Sequence, residues 1–204
     1  MTLAHQHFEG SGWSLTGSTG IMAAGLAQDS VVFAMGAIAD PAVGVSQTLK
    51  RAPIEIEGIQ LTFTAIAAFG TVLAGRSLKL YRADTNARTL PTGGANLTPR
   101  PKRTLDQTQD NGLQSGVARI STTTGLTTTG FTRDTVPLAT YDLSGVFAAG
   151  ARVPPLELFE KRNGSPIWLD PGEILVISNP VAFDATTPTW QLTVNIDYRS
   201  RDAL

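Results

Sequence analysis

The sequence predicts an antiparallel β-sandwich, and three observations lead to this fold class. Apolar and polar residues alternate with a period of two over several segments, a pattern typical of strands with one face in a core. A length of 204 residues is ordinary for one all-β domain with a terminal segment. Segments with the period of an amphipathic helix are weak by comparison. We therefore expect an all-β chain.

The clearest predicted strand is WQLTVNIDY at residues 190–198. Its apolar residues alternate with Gln, Thr, Asn and Asp through the whole segment. In a strand, successive side chains point to opposite faces of the sheet, so one set faces the core and the other faces solvent or a partner. The core set that we predict is Trp190, Leu192, Val194, Ile196 and Tyr198.

Two earlier segments also read as strands. In IEIEGIQLTFTAI, residues 54–66, the apolar set changes phase at Gly58, which predicts a β-bulge at that glycine. In SLKLYRA, residues 77–83, Leu78 and Leu80 share one face. Both segments are therefore expected in the sandwich, with the phase change keeping the apolar residues on the core side.

Three other segments are less regular. Residues 21–39 contain enough Ala, Met and Leu for a short helix, but two glycines interrupt them and VVFAM favours a strand. Residues 84–114 contain three prolines, paired glycines and an Asn-Gly step, which predict a long loop that is functional, partly disordered or an interaction surface. The Thr-rich residues 120–132 indicate a β-ribbon.

The two termini are expected to lie outside the sandwich. We assign residues 1–29 to an extended N-terminal arm, residues 30–199 to the β-sandwich and residues 200–204 to a C-terminal tail. The arm is rich in Gly, Ser, Thr and Ala, yet it contains Phe8 and Trp13. Each of these aromatic side chains can bury about 150–250 Å² on a partner. A terminus without a role is the alternative interpretation.

Composition excludes several function classes. The chain has no cysteine, so disulfides, thiolate nucleophiles and Cys-bound metals are excluded. Its two histidines, His5 and His7, both lie in the expected arm, so no His-based triad is expected in the body and no metal at the His pair. Phosphate-loop, dinucleotide-binding and nucleophile-elbow motifs are absent. We expect no enzymatic activity and no cofactor.

Charge and hydropathy limit the expected partners in the same way. The formal net charge of -1 gives no general attraction to nucleic acid or to an anionic membrane. The N-terminus lacks the pattern of a secretory signal, and no apolar run of about 18 residues occurs. Charged residues make up only 16% of the chain, so much of the surface must be uncharged, which suits a protein covered by partners.

Two charged groups remain as candidate sites. Glu55 and Glu57 lie two apart on one strand face and could span the roughly 5–10 Å that separates glycosidase carboxylates. Solvation of an outward face is the simpler interpretation of this pair. The segment PRPKR contains Arg100, Lys102 and Arg103 in a proline-rich loop and could contact phosphate or an acidic protein surface. A solvated loop is the alternative.

The last forty residues carry a resemblance to a known class of protein. PIWLDPGEILVISNPVAFDATTPTWQLTVNIDYRS, residues 166–200, resembles the C-terminal hairpin of tailed-bacteriophage virion structural proteins. The motif of the first strand is matched by Gly172, Glu173, Val176, Ile177 and Asn179, and that of the last strand by the alternating set from Trp190 to Tyr198. Residues 54–83 are similar to the paired strands of the same proteins.

The resemblance implies a non-enzymatic virion component with a jelly-roll-like sandwich. It implies a trimer that decorates the capsid, with the major capsid protein or another virion protein as partner, assembled in the cytoplasm of a bacterial host. We expect the partner contacts at Phe8, Trp13, Arg100, Lys102 and Arg103. Two alternatives stay open: a tail or baseplate component, and a carbohydrate-binding sandwich that uses Trp168 as a stacking platform.

Overall fold

The chain is all-β, as the sequence predicts. The computed structural model describes residues 11–25, 28–34, 54–69, 75–84, 90–103, 113, 117–143, 147–153, 155–160, 165–170, 173–184 and 188–200. No helix occurs in these ranges. The strands are β1 (Ser11–Ser18), β2 (Met22–Ala23), β3 (Gln28–Ala34), β4 (Ile54–Ala65), β5 (Ser77–Asp84), β6 (Ala95–Asn96), β7 (Arg100–Pro101), β8 (Arg119–Ile120), β9 (Thr132–Arg133), β10 (Ala139–Asp142), β11 (Leu156–Glu160), β12 (Ile167–Leu169), β13 (Glu173–Asn179) and β14 (Thr189–Ser200).

The strands form two antiparallel sheets that share one core. Sheet A has the order β11-β4-β14-β1-β7, with β12 paired to β4 and β2 paired to β14. Sheet B has the order β10-β5-β13-β3-β8-β6, with β9 paired to β5. Leu78, Leu80, Leu175 and Ile177 of sheet B belong to the same buried cluster as the inward residues of sheet A. The predicted β-sandwich is confirmed.

Strand β14 lies at the centre of sheet A, between β4 and β1. It pairs with β1 from Ser11↔Ser200 to Ser18↔Thr193, and with β4 along almost its whole length. The predicted core set is confirmed, because every second residue from Trp190 to Tyr198 is at most 1% exposed. The intervening residues face outward.

The predicted β-bulge at Gly58 is also confirmed. Asp197 pairs with Gly58 and Tyr198 pairs with Ile56, so Glu57 is the extra residue on β4. The insertion shifts the phase of the strand by one residue. Ile56 and Ile59 consequently both face the core and are both fully buried.

Four consecutive apolar residues in β13 are explained by burial on both faces of sheet B. Leu175 and Ile177 belong to the core between the sheets. Ile174 and Val176 face the other side and belong to a second, smaller cluster with Ala83, Val117 and Leu126, against which Leu90 and Phe131 also pack. A strand that is buried on both faces needs a continuous apolar run instead of an alternating one.

The chain between β5 and β10 covers this second face. The sequence predicts a long loop here, and the described parts of it carry β6 to β9. Strand β8 pairs with β3 in sheet B, whereas β7 pairs with β1 in sheet A, so the segment contacts both sheets. Its contact with the β1–β2 turn is close: a Cβ atom at Gly20 would lie 1.6 Å from the carbonyl oxygen of Thr122.

The structure corrects the predicted N-terminal arm over residues 11–25. These residues form β1 and β2, and Leu15 is fully buried in the core. The alternating segment of β1 is short, and most of its residues are Gly, Ser and Thr. It therefore lacks the sustained apolar period that predicts a strand. At the other end, β14 extends to Ser200, which was assigned to the tail. Residues 1–10, with Phe8, and residues 201–204 lie outside the described residues.

The last two strands do not form the hairpin that the resemblance implies. Strand β13 pairs with β3 and β5 in sheet B, whereas β14 pairs with β1 and β4 in sheet A. The connection at Asn179-Pro180 therefore crosses from one sheet to the other. Phe183 in this connection is fully buried, and its backbone N–H donates to the carbonyl of Ala24 at 2.7 Å.

The core contains a cluster of aromatic rings, and a buried arginine lies over one of them. The ring of Phe63 lies 5.6–6.0 Å from the rings of Phe69, Phe147, Phe183 and Trp190, measured between centroids. The guanidinium carbon of Arg76, a residue that is 1% exposed, lies 5.2 Å from the centroid of Phe69. Burial lowers the pKa of Arg76, and the charge of the buried Asp184 acts in the opposite direction.

No helix that is long and apolar enough to cross a bilayer occurs in the part of the chain that the structure describes.

The face assignment of β14 gives a direct test. Replacing Val194 with Asp should lower the free energy of unfolding by about 3–5 kcal/mol, because an unpaired carboxylate would enter a packed interior. Thr193→Asp is the matched control, since Thr193 is the outward neighbour, and it should cost no more than about 1 kcal/mol. Urea denaturation measures both. Equal losses in the two variants would contradict the assignment.

Candidate functional site

The outward face of sheet A is polar and largely uncharged near β1. Thr16 Oγ1 donates a hydrogen bond to Asn195 Oδ1 at 2.8 Å, and the hydroxyls of Ser18 and Thr193 lie 2.7 Å apart. These pairs sit directly opposite each other in the register of β1 and β14. Cross-strand hydrogen bonds of this kind fix side-chain orientation on an exposed sheet face. We call this surface the polar face.

Charged residues gather at one end of the polar face. Lys102 Nζ lies 3.3 Å from Glu57 Oε2 and 3.3 Å from Asp197 Oδ1, and Arg199 Nε lies 2.5 Å from Glu57 Oε1. The four side chains are 20–38% exposed, so each pair contributes at most about 1 kcal/mol to stability. The ion pairs mainly fix the position of the segment after β7, because they join it to β4 and β14.

A groove opens beside this charged cluster. It has a volume of about 150 Å³ and is open to solvent on one side. Strands β4, β11 and β14 form it together with the segment after β7. Its polar lining consists of Glu57, Gln60, Lys102, Glu157, Asn195 and Asp197. We call this feature the groove.

The bulge of β4 shapes the groove. Gly58 lines it, and a Cβ atom at this position would meet only the carbonyl oxygen of Phe159, at 3.7 Å. The absence of a side chain at Gly58 therefore leaves space on the sheet surface. The bulge also places Glu57, the extra residue, beside the groove.

The residues that the sequence predicts as partner contacts lie in different environments. Trp13 is 4% exposed and belongs to the core of its own chain, so it is not available to a partner in this fold. Arg100 and Arg103 are exposed, Arg100 in β7 and Arg103 just after it. Lys102 is held by Glu57 and Asp197. Phe8 lies outside the described residues.

The structure does bring Trp13 and the PRPKR segment together, within one chain. Trp13 pairs with Pro101, Ser14 pairs with Arg100, and the backbone N–H of Lys102 donates to the carbonyl of Gly12 at 2.8 Å. The proline-rich segment is therefore an edge strand on β1. Proline is tolerated there, since an edge strand leaves one row of backbone groups unpaired.

The paired carboxylates of the sequence do not form an open catalytic pair. Glu55 is 5% exposed and lies opposite Trp168 of β12, which is half-buried. Glu57 is bound by Lys102 and Arg199 instead. Within the described ranges, no group of three or more His, Cys, Asp or Glu side chains is placed to hold a metal ion. His5 and His7 lie outside those ranges.

Sequence reasoning missed the groove because its residues are distant in the chain. They come from three strands and one loop, between residues 57 and 197. The sequence does contain one signal for the groove, namely the polar residues that alternate with the core residues of β14. Alternation alone predicts only that these residues are solvated or paired. The bulge at Gly58, which was predicted, is the feature that turns this polar face into a concave one.

Comparison with known proteins does not assign the chain to a family. No family model matches the chain, and no curated protein matches it significantly.

A substitution at Trp13 tests whether this residue belongs to the core or contacts a partner. Trp13→Ala should lower the free energy of unfolding by about 3–5 kcal/mol, because it leaves a large cavity beside β14. Arg100→Ala, on the exposed neighbouring strand, should cost less than about 1 kcal/mol. Thermal and urea denaturation of both variants measure the difference. A Trp13→Ala protein with full stability would restore the predicted arm.

Proposed function

We propose that the chain is a non-enzymatic structural protein of a tailed-bacteriophage virion, and specifically a trimeric protein that decorates the capsid. The proposal rests on the strand order of the sandwich, taken together with the residues of β13 and β14 that resemble virion proteins. The observation that carries the jelly-roll part of the proposal is the strand order, because that order is a topological property that composition alone does not produce. The virion part rests on the resemblance of the residues in β13 and β14.

Eight strands make up the body of the two sheets. In chain order they are β1, β3, β4, β5, β10, β11, β13 and β14. Numbered from one to eight, they follow the order 1-8-3-6 in sheet A and 2-7-4-5 in sheet B. This order supports a jelly-roll assignment, in which two Greek keys are wrapped into a double sheet. Viral capsid proteins, lectins and cupins share that architecture.

The packed core argues against a ligand site inside the jelly roll. A ligand pocket needs a cavity with a few convergent polar groups, whereas the cluster between sheets A and B consists of apolar and aromatic side chains. Cross-strand hydrogen bonds and ion pairs of β1, β4 and β14 lie on the outward face of sheet A instead. A protein whose interior is a packed core and whose surface is low in charge is suited to assembly.

Attachment to a particle is assigned to one end of sheet A. The carbonyl of Gly12 accepts a hydrogen bond from the backbone N–H of Lys102, and the predicted contacts Arg100 and Arg103 are exposed in this part of the structure. The third predicted contact, Phe8, lies outside the described residues. With Trp13 in the core, a single chain has less aromatic area to offer a partner. Three chains in a trimer raise the effective concentration of such weak contacts. A tail or baseplate location would use the same features.

The test uses virions assembled with and without the chain. We expect the chain in purified virions by mass spectrometry, density for it on the capsid by cryo-EM, and a solution mass of three times the 21.5 kDa chain by light scattering. Density on the tail would replace the capsid assignment with the tail alternative. A monomer that is absent from virions would refute the proposal.

A truncation tests the attachment site. Removing residues 1–28 would delete β1 and β2, so the useful variant starts at residue 11. We expect that variant to stay folded and oligomeric but to bind capsids more weakly. A second variant, the full chain with Arg100→Ala and Arg103→Ala, tests the other predicted contacts and should also bind capsids more weakly. If the truncated chain binds capsids as well as the full chain, and only the second variant is impaired, attachment lies at the arginines instead.

A further inference from the structure

We propose that the groove binds one ring of a neutral saccharide. This proposal does not rest on the virion assignment, and it differs from the stacking role considered for Trp168, which does not line the groove. It follows from the charge balance of the groove, its hydrogen-bonding groups and its size.

The charge balance favours a neutral ligand. An anion would meet the carboxylates of Glu57, Glu157 and Asp197. A cation would compete with Lys102, whose Nζ already lies 3.3 Å from both Glu57 and Asp197. Arg199 compensates Glu57 from its other side. The carboxylates oppose an anion, and Lys102 already occupies the position that a cation would take between Glu57 and Asp197, so the groove favours uncharged groups.

The hydrogen-bonding groups suit a ligand that carries hydroxyls. A hydroxyl both donates and accepts, and the groove offers both partners. Carboxylate oxygens accept, whereas Lys102 and the side-chain amides of Gln60 and Asn195 can donate. Thr16 donates to Asn195 Oδ1, which orients the amide so that its NH₂ group remains for a ligand. Gln60 is exposed on the neighbouring strand.

The size and rigidity of the groove suit part of one sugar ring. Its volume is about 150 Å³, and a cavity of about that volume holds benzene, so the groove covers one side of a larger pyranose ring and leaves the other hydroxyls in solvent. Its floor is the paired centre of sheet A, where Asn195 lies opposite Gln60 in the register of β14 and β4. Sites built on paired strands keep their geometry without a ligand, which lowers the cost of binding.

The test is saturation-transfer and amide-shift NMR with a panel of methyl glycosides of glucose, galactose, mannose and N-acetylglucosamine. We expect at least one glycoside to bind with a dissociation constant on the order of 1 mM, because an open groove covers only part of a ring. The shifted amides should be those of Gln60, Glu157 and Asn195. The double variant Gln60→Ala/Asn195→Ala should weaken binding about tenfold or more, since two hydrogen bonds are lost.

The control variant is Thr193→Ala, which changes the same strand and face outside the groove and should bind as the wild type does. Nα-acetyl-lysine amide serves as a cationic probe. Shifts with this probe but with no glycoside would overturn the proposal in favour of a cationic side chain. The proposal also fails if no glycoside shifts these amides at about 20 mM, well above a millimolar dissociation constant, or if the double variant binds as well as wild type. Neither result bears on the presence of the chain in virions.

Discussion

The pairing of β14 on both sides is the constraint on which the rest of the structure depends. The strand runs from Thr189 to Ser200 between β4 and β1, and its inward residues include Trp190 and Tyr198, which are among the largest fully buried side chains. Its outward residues include Asn195 and Asp197 of the groove. Because side chains alternate strictly, the register that buries Val194 and Ile196 also fixes the polar face. Core and site are therefore two faces of one strand.

The segment between β5 and β10 decides which face of the sandwich stays open. Over β13 it covers the outer face of sheet B, where Leu126 belongs to the same buried cluster as Ile174 and Val176. Part of it then reaches sheet A, and Lys102 is held there by Glu57 and Asp197. Sheet B is consequently buried on both faces at its centre, whereas the polar face of sheet A remains accessible.

The sequence predicts well those features that depend on local periodicity. The alternation around Val194 predicted the core strand, and the phase change predicted the bulge at Gly58. Both follow from the two-residue period of a strand. Prediction from the sequence fails for elements that form only because a distant strand pairs with them. Ser11–Ser18 is a strand because β14 lies beside it, and its Gly- and Ser-rich composition resembles that of a free terminus. The groove depends on the same long-range pairing.

Amide hydrogen exchange, read residue by residue by NMR, tests the central place of β14 most directly. Backbone amides that are paired inside a sheet exchange only through large-scale opening, whereas those of exposed chain exchange freely. If β14 is paired on both sides, Leu15 of β1 and Ile196 of β14 should exchange as slowly as the most protected amides of the chain. Rapid exchange throughout residues 11–18, with protection of β14 on its β4 side alone, would contradict this account and make the N-terminal segment a free arm.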